Sequence, residues 1–292
     1  MKPPATPPRG RETTRREILL GAAGVIAVGL CRGAGPARAA GRPILRAQRL
    51  AWAGVRLQVG TVTIWIDPLG DPGVWGKALQ GGLVPIQAPA EGSRYALVTH
   101  RHPDHFDPTA LEAALGRRGT LVCTEATAAA ARGIRVRVAR LYEPMLLDDV
   151  TATAVPAVDG YGDEQVSWVV SGGGRRVFHG GDTLWHGAWW HIGRQLGPFD
   201  AAFLPVNGAR FRWRKPYSEI PAVLTPEQAV AAAVVMGARL LVPIHYGVVG
   251  AEADGYLEVE RPLVALAAAA RRRKLPLEVV RPGEWLTWRP RS

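Results

Sequence analysis

The sequence that decides the fold is Val98-Thr99-His100-Arg101-His102-Pro103-Asp104-His105-Phe106-Asp107. The apolar run 95–98 predicts a short strand, and Pro103 ends it because proline cannot donate to a sheet ladder. The stretch therefore predicts a loop at the C-terminal end of a strand, with three imidazoles and a carboxylate close together. These are side chains with which proteins bind Zn, Mn or Fe.

The spacing of these side chains divides them into two pairs. Residues two apart project to the same side of an extended segment, so His100 and His102 are placed to hold one metal ion. Asp104 and His105 follow the proline turn and are placed to face a second ion. The alternative is a polar surface loop that is rich in histidine by chance, but three of the seven histidines in the chain fall in this window.

Four more polar side chains follow segments that predict strands. Asp159 follows the alternating segment 150–157, and Asp182 follows the segment 175–179 and two glycines. Asn207 follows the apolar run 201–206, and His245 follows the run 240–244. Their shared position at strand ends predicts that these residues complete one site with the histidine-rich loop.

Together these motifs resemble the signature of the metallo-β-lactamase superfamily. The resemblance rests on His-x-His-x-Asp-His at 100–105, Gly-Asp-Thr at 181–183 and Pro-x-His at 243–245. It looks closest to the branch that contains ascorbate-phosphate lactonases and N-acylethanolamine phospholipases D. It implies an α+β fold, a four-layer αββα sandwich, in a hydrolase domain that covers residues 40–292.

The resemblance also implies a ligand set for two divalent metal ions, with Zn ahead of Mn or Fe. In that set the first ion is held by His100, His102 and Asp159, the second by Asp104, His105 and His245, and Asp182 bridges both. The chain departs from the family at Asp159, which matches the position of a third histidine. Asp159 is interpreted as an oxygen ligand, which would favour harder ions such as Mn, as a hydrogen-bonding partner of a metal-bound water, or as a turn residue before Gly160. Asp163 and Glu164 are nearby alternatives.

The chemistry implied is hydrolysis by a metal-bound hydroxide, because two cations lower the pKa of a bound water to roughly 7 in favourable zinc sites. We predict an exported metal-dependent hydrolase of an ester, lactone or phosphodiester bond. Asp104 is the predicted proton acceptor. His186, four residues after Asp182, is the second predicted catalytic residue, and it or Tyr246 would assist the leaving group.

The predicted substrate contacts come from several parts of the chain. Trp185 belongs to the aromatic segment 184–196, which predicts a helix whose indoles either wall a pocket or pack into the core. Arg210 and Arg212 belong to a basic segment, interleaved with aromatic residues, that suits an anionic substrate, although a solvated loop is the commoner explanation. Asn207 and Tyr246 complete the set.

Two other classes of function stay open. One is a redox protein of the same fold that binds iron, which an extra carboxylate would suit; bound iron and an absorbance band would favour it. The other is a non-catalytic metal-binding protein, which full metal occupancy without turnover of any ester would favour. Nucleic-acid binding is disfavoured, because +5 of the net charge of +11 lies in residues 1–39 and the remaining +6 is moderate and dispersed.

Local signals predict several element boundaries. Asp107-Pro108 predicts an N-cap and a first helical residue, for a helix that runs to about Leu115. Thr225-Pro226-Glu227-Gln228 predicts a capping box at the start of a second helix. The segments 277–280 and 285–288 predict closing strands.

Residues 1–39 predict an export signal with a disordered N-terminus. Residues 1–13 are basic and rich in proline, which is typical of disorder. Arg15 and Arg16 precede the uncharged run 18–30, and Ala37-Arg38-Ala39 fits a cleavage site, so the segment resembles a twin-arginine (Tat) signal. As a helix, that run would be about 20 Å long, which is shorter than a bilayer core of about 30 Å.

This signal predicts a periplasmic or secreted protein. Its expected partners are the Tat export machinery and a small-molecule substrate, and no stable membrane span is expected after processing. Cys31 lies in the predicted signal, so Cys123 is the remaining cysteine and no intrachain disulfide is expected in the processed chain.

Overall fold

The computed structural model describes residues 43–288, whose first six strands form one mixed sheet. In spatial order these are β1 (Arg46–Arg49), β2 (Val55–Val59), β3 (Val62–Ile66), β4 (Arg94–Leu97), β5 (Thr120–Cys123) and β6 (Val136–Val138). The first three pair antiparallel, whereas β3 through β6 run parallel. The C-terminal ends of these parallel strands therefore share one edge of the sheet.

The later strands form a second six-stranded sheet and a separate antiparallel pair of short strands. They are β7 (Pro144–Leu147), β8 (Val150–Pro156), β9 (Val166–Gly172), β10 (Arg175–His179), β11 (Ala201–Pro205), β12 (Arg210–Phe211), β13 (Leu241–Ile244) and β14 (Tyr256–Leu257). The sheet order is β13-β11-β10-β9-β8-β7, and β12 pairs with β14. β10, β11 and β13 are parallel, so their C-terminal ends also share an edge.

The helices are short, and α1 and α4 begin at the caps that the sequence predicts. They are α1 (Pro108–Leu115), α2 (Glu125–Ala128), α3 (Trp189–Leu196), α4 (Pro226–Val235) and α5 (Pro262–Arg272), with single 3-10 turns at Gly73–Ala78 and Glu252–Asp254. Asp107 caps α1 by accepting from the amide of Ala110 at 3.0 Å. Thr225 and Gln228 form the predicted capping box of α4. Each such cap contributes about 1 kcal/mol.

The strands bury opposite faces against different layers, because successive side chains of a strand point to opposite sides. On β11, Phe203 packs between the two sheets, whereas Leu204 packs against α4 and α5. On β4, Leu97 packs between the sheets, whereas Ala96 packs against α1. The order of layers is helix, sheet, sheet, helix, which confirms the predicted α+β four-layer αββα sandwich.

Three predicted elements differ from the structure. The helix predicted over 184–196 begins only at Trp189, because the amide of Leu184 donates to the carbonyl of Val158 at 3.0 Å and holds the preceding segment non-helical. The two predicted closing strands are reduced to isolated bridges. Leu277 pairs only with Leu241, and Trp285 pairs only with Gln48.

The predicted export signal at 1–39 lies outside the described residues, so it stays a prediction. Within residues 43–288, no helix combines the length and apolar character that a membrane crossing requires.

Candidate metal centre

The histidine-rich loop leaves the end of β4 and leads directly into α1. Its backbone turns at Pro103, because the amides of His105 and Phe106 both donate to the carbonyl of His102, at 2.9 and 2.8 Å. The side chains of His100 and His105 are fully buried. The turn places four predicted ligands on a single loop at the edge of the sandwich.

Two predicted ligands from the second sheet approach this loop. Asp182 follows β10, and His245 follows β13 with a left-handed φ of 55°. Gly181 allows the approach of β10, since a Cβ at that position would lie 2.9 Å from the side chain of Thr99. The close backbone contact is therefore what brings Asp182 beside the histidines of the first sheet.

The first pair of histidines presents two nitrogens to a common point. Nε2 of His100 lies 2.8 Å from Nδ1 of His102. The Thr99 hydroxyl donates to Asp67, so it accepts from Nδ1 of His100, and Nε2 of His102 donates to Asp163 at 3.0 Å. In the neutral rings the two facing nitrogens therefore both carry lone pairs, an arrangement that a shared cation would stabilise.

The second group of ligands converges on Asp182. Nε2 of His105 lies 2.9 Å from Oδ1 of Asp182, and Nε2 of His245 lies 2.8 Å from the same oxygen. Neither contact has hydrogen-bond geometry, and none of the three buried atoms has a hydrogen-bonding partner among residues 43–288. Asp104 completes this group, with Oδ2 3.9 Å from Nε2 of His105. Buried polar atoms that converge without hydrogen bonds fit a metal ion between them.

The charges of this group shift its protonation. Burial alone would raise the pKa of Asp182, but the neighbouring His105 and His245 outweigh it and hold that pKa well below its usual range. Burial opposes a charge on His105, yet Asp182 and Asp104 raise the pKa of its imidazole well above the usual value. The carboxylates thus create a field in which a positive charge, either a proton or a metal ion, is stable.

Two buried residues orient the ligands from behind. Oδ2 of Asp67 accepts from the hydroxyl of Thr99 at 2.7 Å and contacts Nδ1 of His105 at 2.8 Å. Oδ1 of Asn207 contacts Nδ1 of His245 at 3.2 Å. Because these acceptors hold the Nδ1 protons, they direct Nε2 of each ring toward Asp182.

Asp159 has one oxygen in a turn and one near the first pair. Its Oδ2 accepts from the amides of Tyr161 and Asp163, at 2.6 and 3.2 Å. Its Oδ1 lies 3.8 Å from Nδ1 of His102, and burial raises the pKa of this carboxyl. Asp159 groups with His102 and Asp163, whereas His100 and His102 group with Asp182. The turn role is therefore present, and metal ligation by Asp159 stays a prediction.

The predicted catalytic and aromatic residues of segment 184–196 lie away from this group. His186 stacks on Trp189 at 4.3 Å, and the Trp189 indole is fully buried against the outer helices. Trp185 packs against Trp189 and Trp190, at 6.3 and 5.7 Å between ring centroids. The late start of α3 directs this segment into the helical layer, so neither His186 nor Trp185 meets the metal ligands.

The other predicted substrate residues are also placed elsewhere. Tyr246 lines a separate depression and lies under the guanidinium of Arg49, 5.8 Å from its ring centroid. Arg210 lines that depression and another beside Gly160. The amide of Arg212 donates to the carbonyl of Gly255 at 2.8 Å. The structure therefore does not bring these three residues to the ligand groups, whereas Asn207 meets His245.

A cavity of about 400 Å³ opens above the ligands. His102, Asp104, Asp182 and His245 lie in its wall. The remaining wall contains aromatic residues that sequence reasoning did not assign to the site: Trp75, Tyr161, Phe211, Trp213 and Tyr256. Two signals in the sequence pointed to parts of this wall. Phe211 and Trp213 are the aromatic residues of the basic segment that contains Arg210 and Arg212. Trp75 belongs to the Gly- and Pro-rich segment 69–93, and such loops often border active sites.

Comparisons with known proteins agree with this architecture. A family model described as a beta-lactamase superfamily domain matches residues 63–246. A UPF0173 metal-dependent hydrolase of Methanoculleus marisnigri is 30% identical over 210 residues, which cover 68% of this chain and 80% of that protein. A UPF0173 metal-dependent hydrolase of Thermus thermophilus is 29% identical over 250 residues, 81% of this chain and 96% of that protein.

A longer relative is an uncharacterized protein of Mycobacterium tuberculosis strain H37Rv. It is 28% identical over 204 residues, which cover 64% of this chain and 52% of that protein. The match therefore spans about half the length of this relative.

Solved structures share the fold at low sequence identity. Igni18, a metallo hydrolase from Ignicoccus hospitalis, has a TM-score of 0.63 and 18% identity over 85% of this chain and 99% of that one. CmlA, a diiron beta-hydroxylase from Streptomyces venezuelae, has a TM-score of 0.64 and 15% identity over 84% of this chain and 54% of that one. With the family model matched over residues 63–246, the chain belongs to the beta-lactamase superfamily, and it has the metallo-β-lactamase fold.

Proposed function

We propose that this protein is a metal-dependent hydrolase that uses two divalent ions, Zn ahead of Mn or Fe, to cleave an ester, lactone or phosphodiester bond. One observation carries the proposal. Buried nitrogens of His105 and His245 meet a single oxygen of Asp182 within 2.9 Å, without hydrogen-bond geometry. The names of the Methanoculleus and Thermus relatives support the same class of activity.

The residues divide the work of binding between two positions. His100 and His102, with Asp159, would hold one ion. The second position is formed by Asp104, His105 and His245, with Asp182 between the two. Divalent ions bound there would supply Lewis acidity, which lowers the pKa of water and polarises a carbonyl or phosphoryl oxygen.

Asp104 is the proposed proton acceptor because it lies in the cavity wall beside the ligands. Nε1 of Trp52 donates to its Oδ2 at 3.0 Å, which fixes the orientation of the carboxylate. Oδ1 of Asp104 would take a proton from the attacking water and return it to the leaving oxygen. His186 has no part in this proposal, because it stacks on Trp189 in the helical layer.

Export is part of the proposal. Arg15 and Arg16, the apolar run 18–30 and Ala37-Arg38-Ala39 support a Tat-type signal and a periplasmic or secreted location. The branch of the family that handles ascorbate-phosphate lactones or N-acylethanolamine phospholipids also remains a prediction from the sequence motifs.

A redox protein that binds iron is the second candidate. The observation in its favour is Asp159, a carboxylate near His102 where the family motif has a histidine, since oxygen ligands suit iron. Bound iron with an absorbance band, and no turnover of esters, would favour it over hydrolysis.

The test combines metal content with hydrolysis. The full chain, purified without chelator, is expected to bind two equivalents of metal and to hydrolyse at least one member of a panel of esters, lactones and phosphodiesters. Asp182→Asn should lose metal and activity together, by about 100-fold or more in activity. Asp149→Asn, at an exposed carboxylate in the turn between β7 and β8, is the control and should change neither. Full metal occupancy without turnover of any member would overturn the proposal.

A further inference from the structure

A chain of aromatic contacts runs from the buried Trp52 through four residues of the cavity wall, Trp75, Tyr256, Phe211 and Tyr161, and we call it the aromatic arc. The ring centroids of consecutive members lie 5.0, 4.7, 5.8 and 4.7 Å apart. These distances are typical of favourable aromatic pairs. The arc therefore forms one continuous apolar wall, although its members come from five separate segments of the chain.

The aromatic arc joins the two groups of metal ligands. At one end, the ring of Trp52 lies 4.0 Å from that of His245. At the other end, the ring of Tyr161 lies 5.3 Å from that of His102. A molecule that contacts both ligand groups in the cavity would therefore lie beside the members of the arc that line it.

The charged groups in the cavity wall are all carboxylates apart from the imidazoles of His102 and His245. They are Asp104, Asp182 and Asp254, and no Lys or Arg is among the described residues that line the cavity. Two divalent ions carry four positive charges, which Asp104, Asp182, Asp254 and the adjoining Asp159 would offset, so the cavity would keep no excess positive charge. The faces of aromatic rings are also electronegative, so an anionic group away from the ions would be repelled.

The basic segment after Asn207 does not change this balance. The guanidinium of Arg214 lies 3.6 Å from the ring centroid of Tyr161 and donates to its carbonyl at 3.2 Å. Arg214 lines a separate depression, together with Arg210 and Lys215. Arg214 is therefore placed to hold Tyr161, as a cation–π pair, and none of these three cations lines the cavity.

We propose that the cavity selects a neutral substrate that carries a flat aromatic group beside the scissile bond. This inference rests on the proposed hydrolase function, since it identifies the substrate class of the same site. It replaces the anionic substrate that Arg210 and Arg212 suggested in the sequence. A volume of about 400 Å³ accommodates an aryl group with one short substituent.

The first arm of the test measures charge selection by calorimetry on the full chain loaded with zinc. The probes are 4-(methylsulfonyl)acetophenone and 4-acetylbenzenesulfonate, which differ by a methyl group in place of an anionic oxygen. We expect the neutral ketone to bind at least about tenfold more tightly. Asp254→Asn removes a negative charge from the wall and should reduce the ratio of the two dissociation constants by about threefold or more. Equal or tighter binding of the sulfonate would overturn the proposal.

The second arm measures recognition of the aromatic group in the metal-free protein. Acetophenone should bind at least about fivefold more tightly than 1-cyclohexylethanone, which has a similar size but a puckered ring. Trp213→Ala should weaken the binding of acetophenone by about fivefold or more. Trp213 lines the cavity, and its ring centroid lies 5.0 Å from that of Phe211. Trp190→Ala is the matched control, since both indoles are 48% exposed and Trp190 packs against Trp185 in the helical layer.

The two arms separate this inference from the function on which it rests. Both measure binding of ketones that cannot be hydrolysed. Preference for the neutral aryl ketone, with full metal occupancy and no hydrolysis of any ester, lactone or phosphodiester, would support the cavity inference and overturn the hydrolase. Hydrolysis of esters with equal binding of all four ketones, or equal effects of the two tryptophan variants, would overturn the cavity inference alone.

Discussion

Nε2 of His100 lies 2.8 Å from Nδ1 of His102, and the second nitrogen of each ring already has an acceptor. His102 depends on Asp163 for this arrangement, because the carboxylate at 3.0 Å keeps the proton on Nε2. The facing atoms are therefore preset for a cation by their surroundings. The acceptor that sets each tautomer can be tested without a change to the ligand itself.

Asp163→Ala is expected to lower the affinity for one of the two metal ions by about tenfold, because Nδ1 of His102 is then free to take the proton. Competition with a chelator, monitored for each equivalent, measures the effect. Arg101→Gln is the control: it removes only the ion pair of Arg101 with Asp163, at 3.2 Å, and should leave both affinities nearly unchanged. Unchanged affinity in Asp163→Ala would show that the tautomer does not depend on this contact.

Asp159→Asn tests whether Asp159 is a metal ligand. The amide retains an oxygen for the turn amides of Tyr161 and Asp163 but loses the charge that faces His102. We expect the metal content to fall from two equivalents to about one, because an amide is a weaker ligand than a carboxylate. Mass spectrometry of the purified proteins measures this change. Two equivalents in both proteins would limit Asp159 to the turn.

Asn207→Leu separates two interpretations of Asn207. Nδ2 of Asn207 donates to the hydroxyl of Tyr256 and to Glu258, at 2.6 and 2.9 Å, while its Oδ1 faces His245. Because this network holds the ring of His245, the variant should lose metal affinity by about 10- to 100-fold. A chelator titration measures that loss.

The predicted substrate role of Asn207 leads to a different outcome. In that case Asn207→Leu would raise KM and leave metal affinity unchanged. Tyr256→Phe is the matched control, since it removes one hydroxyl from the network but leaves the contact between Asn207 and His245. Its metal affinity should fall less than that of Asn207→Leu.

His186 predicts a pH dependence of stability. Burial lowers the pKa of its imidazole from 6.5 to about 4, so the unfolded chain binds a proton between these values that the folded chain does not. Stability should therefore fall as the pH decreases from about 6.5 toward 4, and this contribution should be constant above 6.5. Partial exposure reduces the expected size to about 1 kcal/mol.

His186→Phe should remove this contribution and keep the stacking on Trp189. Urea unfolding of metal-free wild type and variant at pH 5 and pH 7.5 measures it. Between pH 7.5 and pH 5, wild type should lose more stability than the variant. A difference that is the same at both pH values would contradict the assigned pKa.

The local sequence determined where β4 ends and where α1 and α4 begin. Pro103 and Asp107-Pro108 act within a few residues, since proline ends pairing and an aspartate caps the next amides. The predicted cap of α1 and capping box of α4 are both present. The closing strands at 277–280 and 285–288 failed because pairing of an edge segment depends on distant partners, and each found only one.

By itself, the sequence determined the strand-end positions of His100, His102, Asp104, His105, Asp182 and His245, because local patterning specifies the element that each follows, while the fold class followed from the resemblance that these motifs carry. The tertiary structure alone decided which side chains surround them. Segment 184–196 has the composition of a pocket wall but packs into the helical layer, whereas Trp75, Phe211 and Tyr256, far apart in the chain, meet in the cavity. Which distant side chains meet depends on long-range packing, which has no period for a sequence to display.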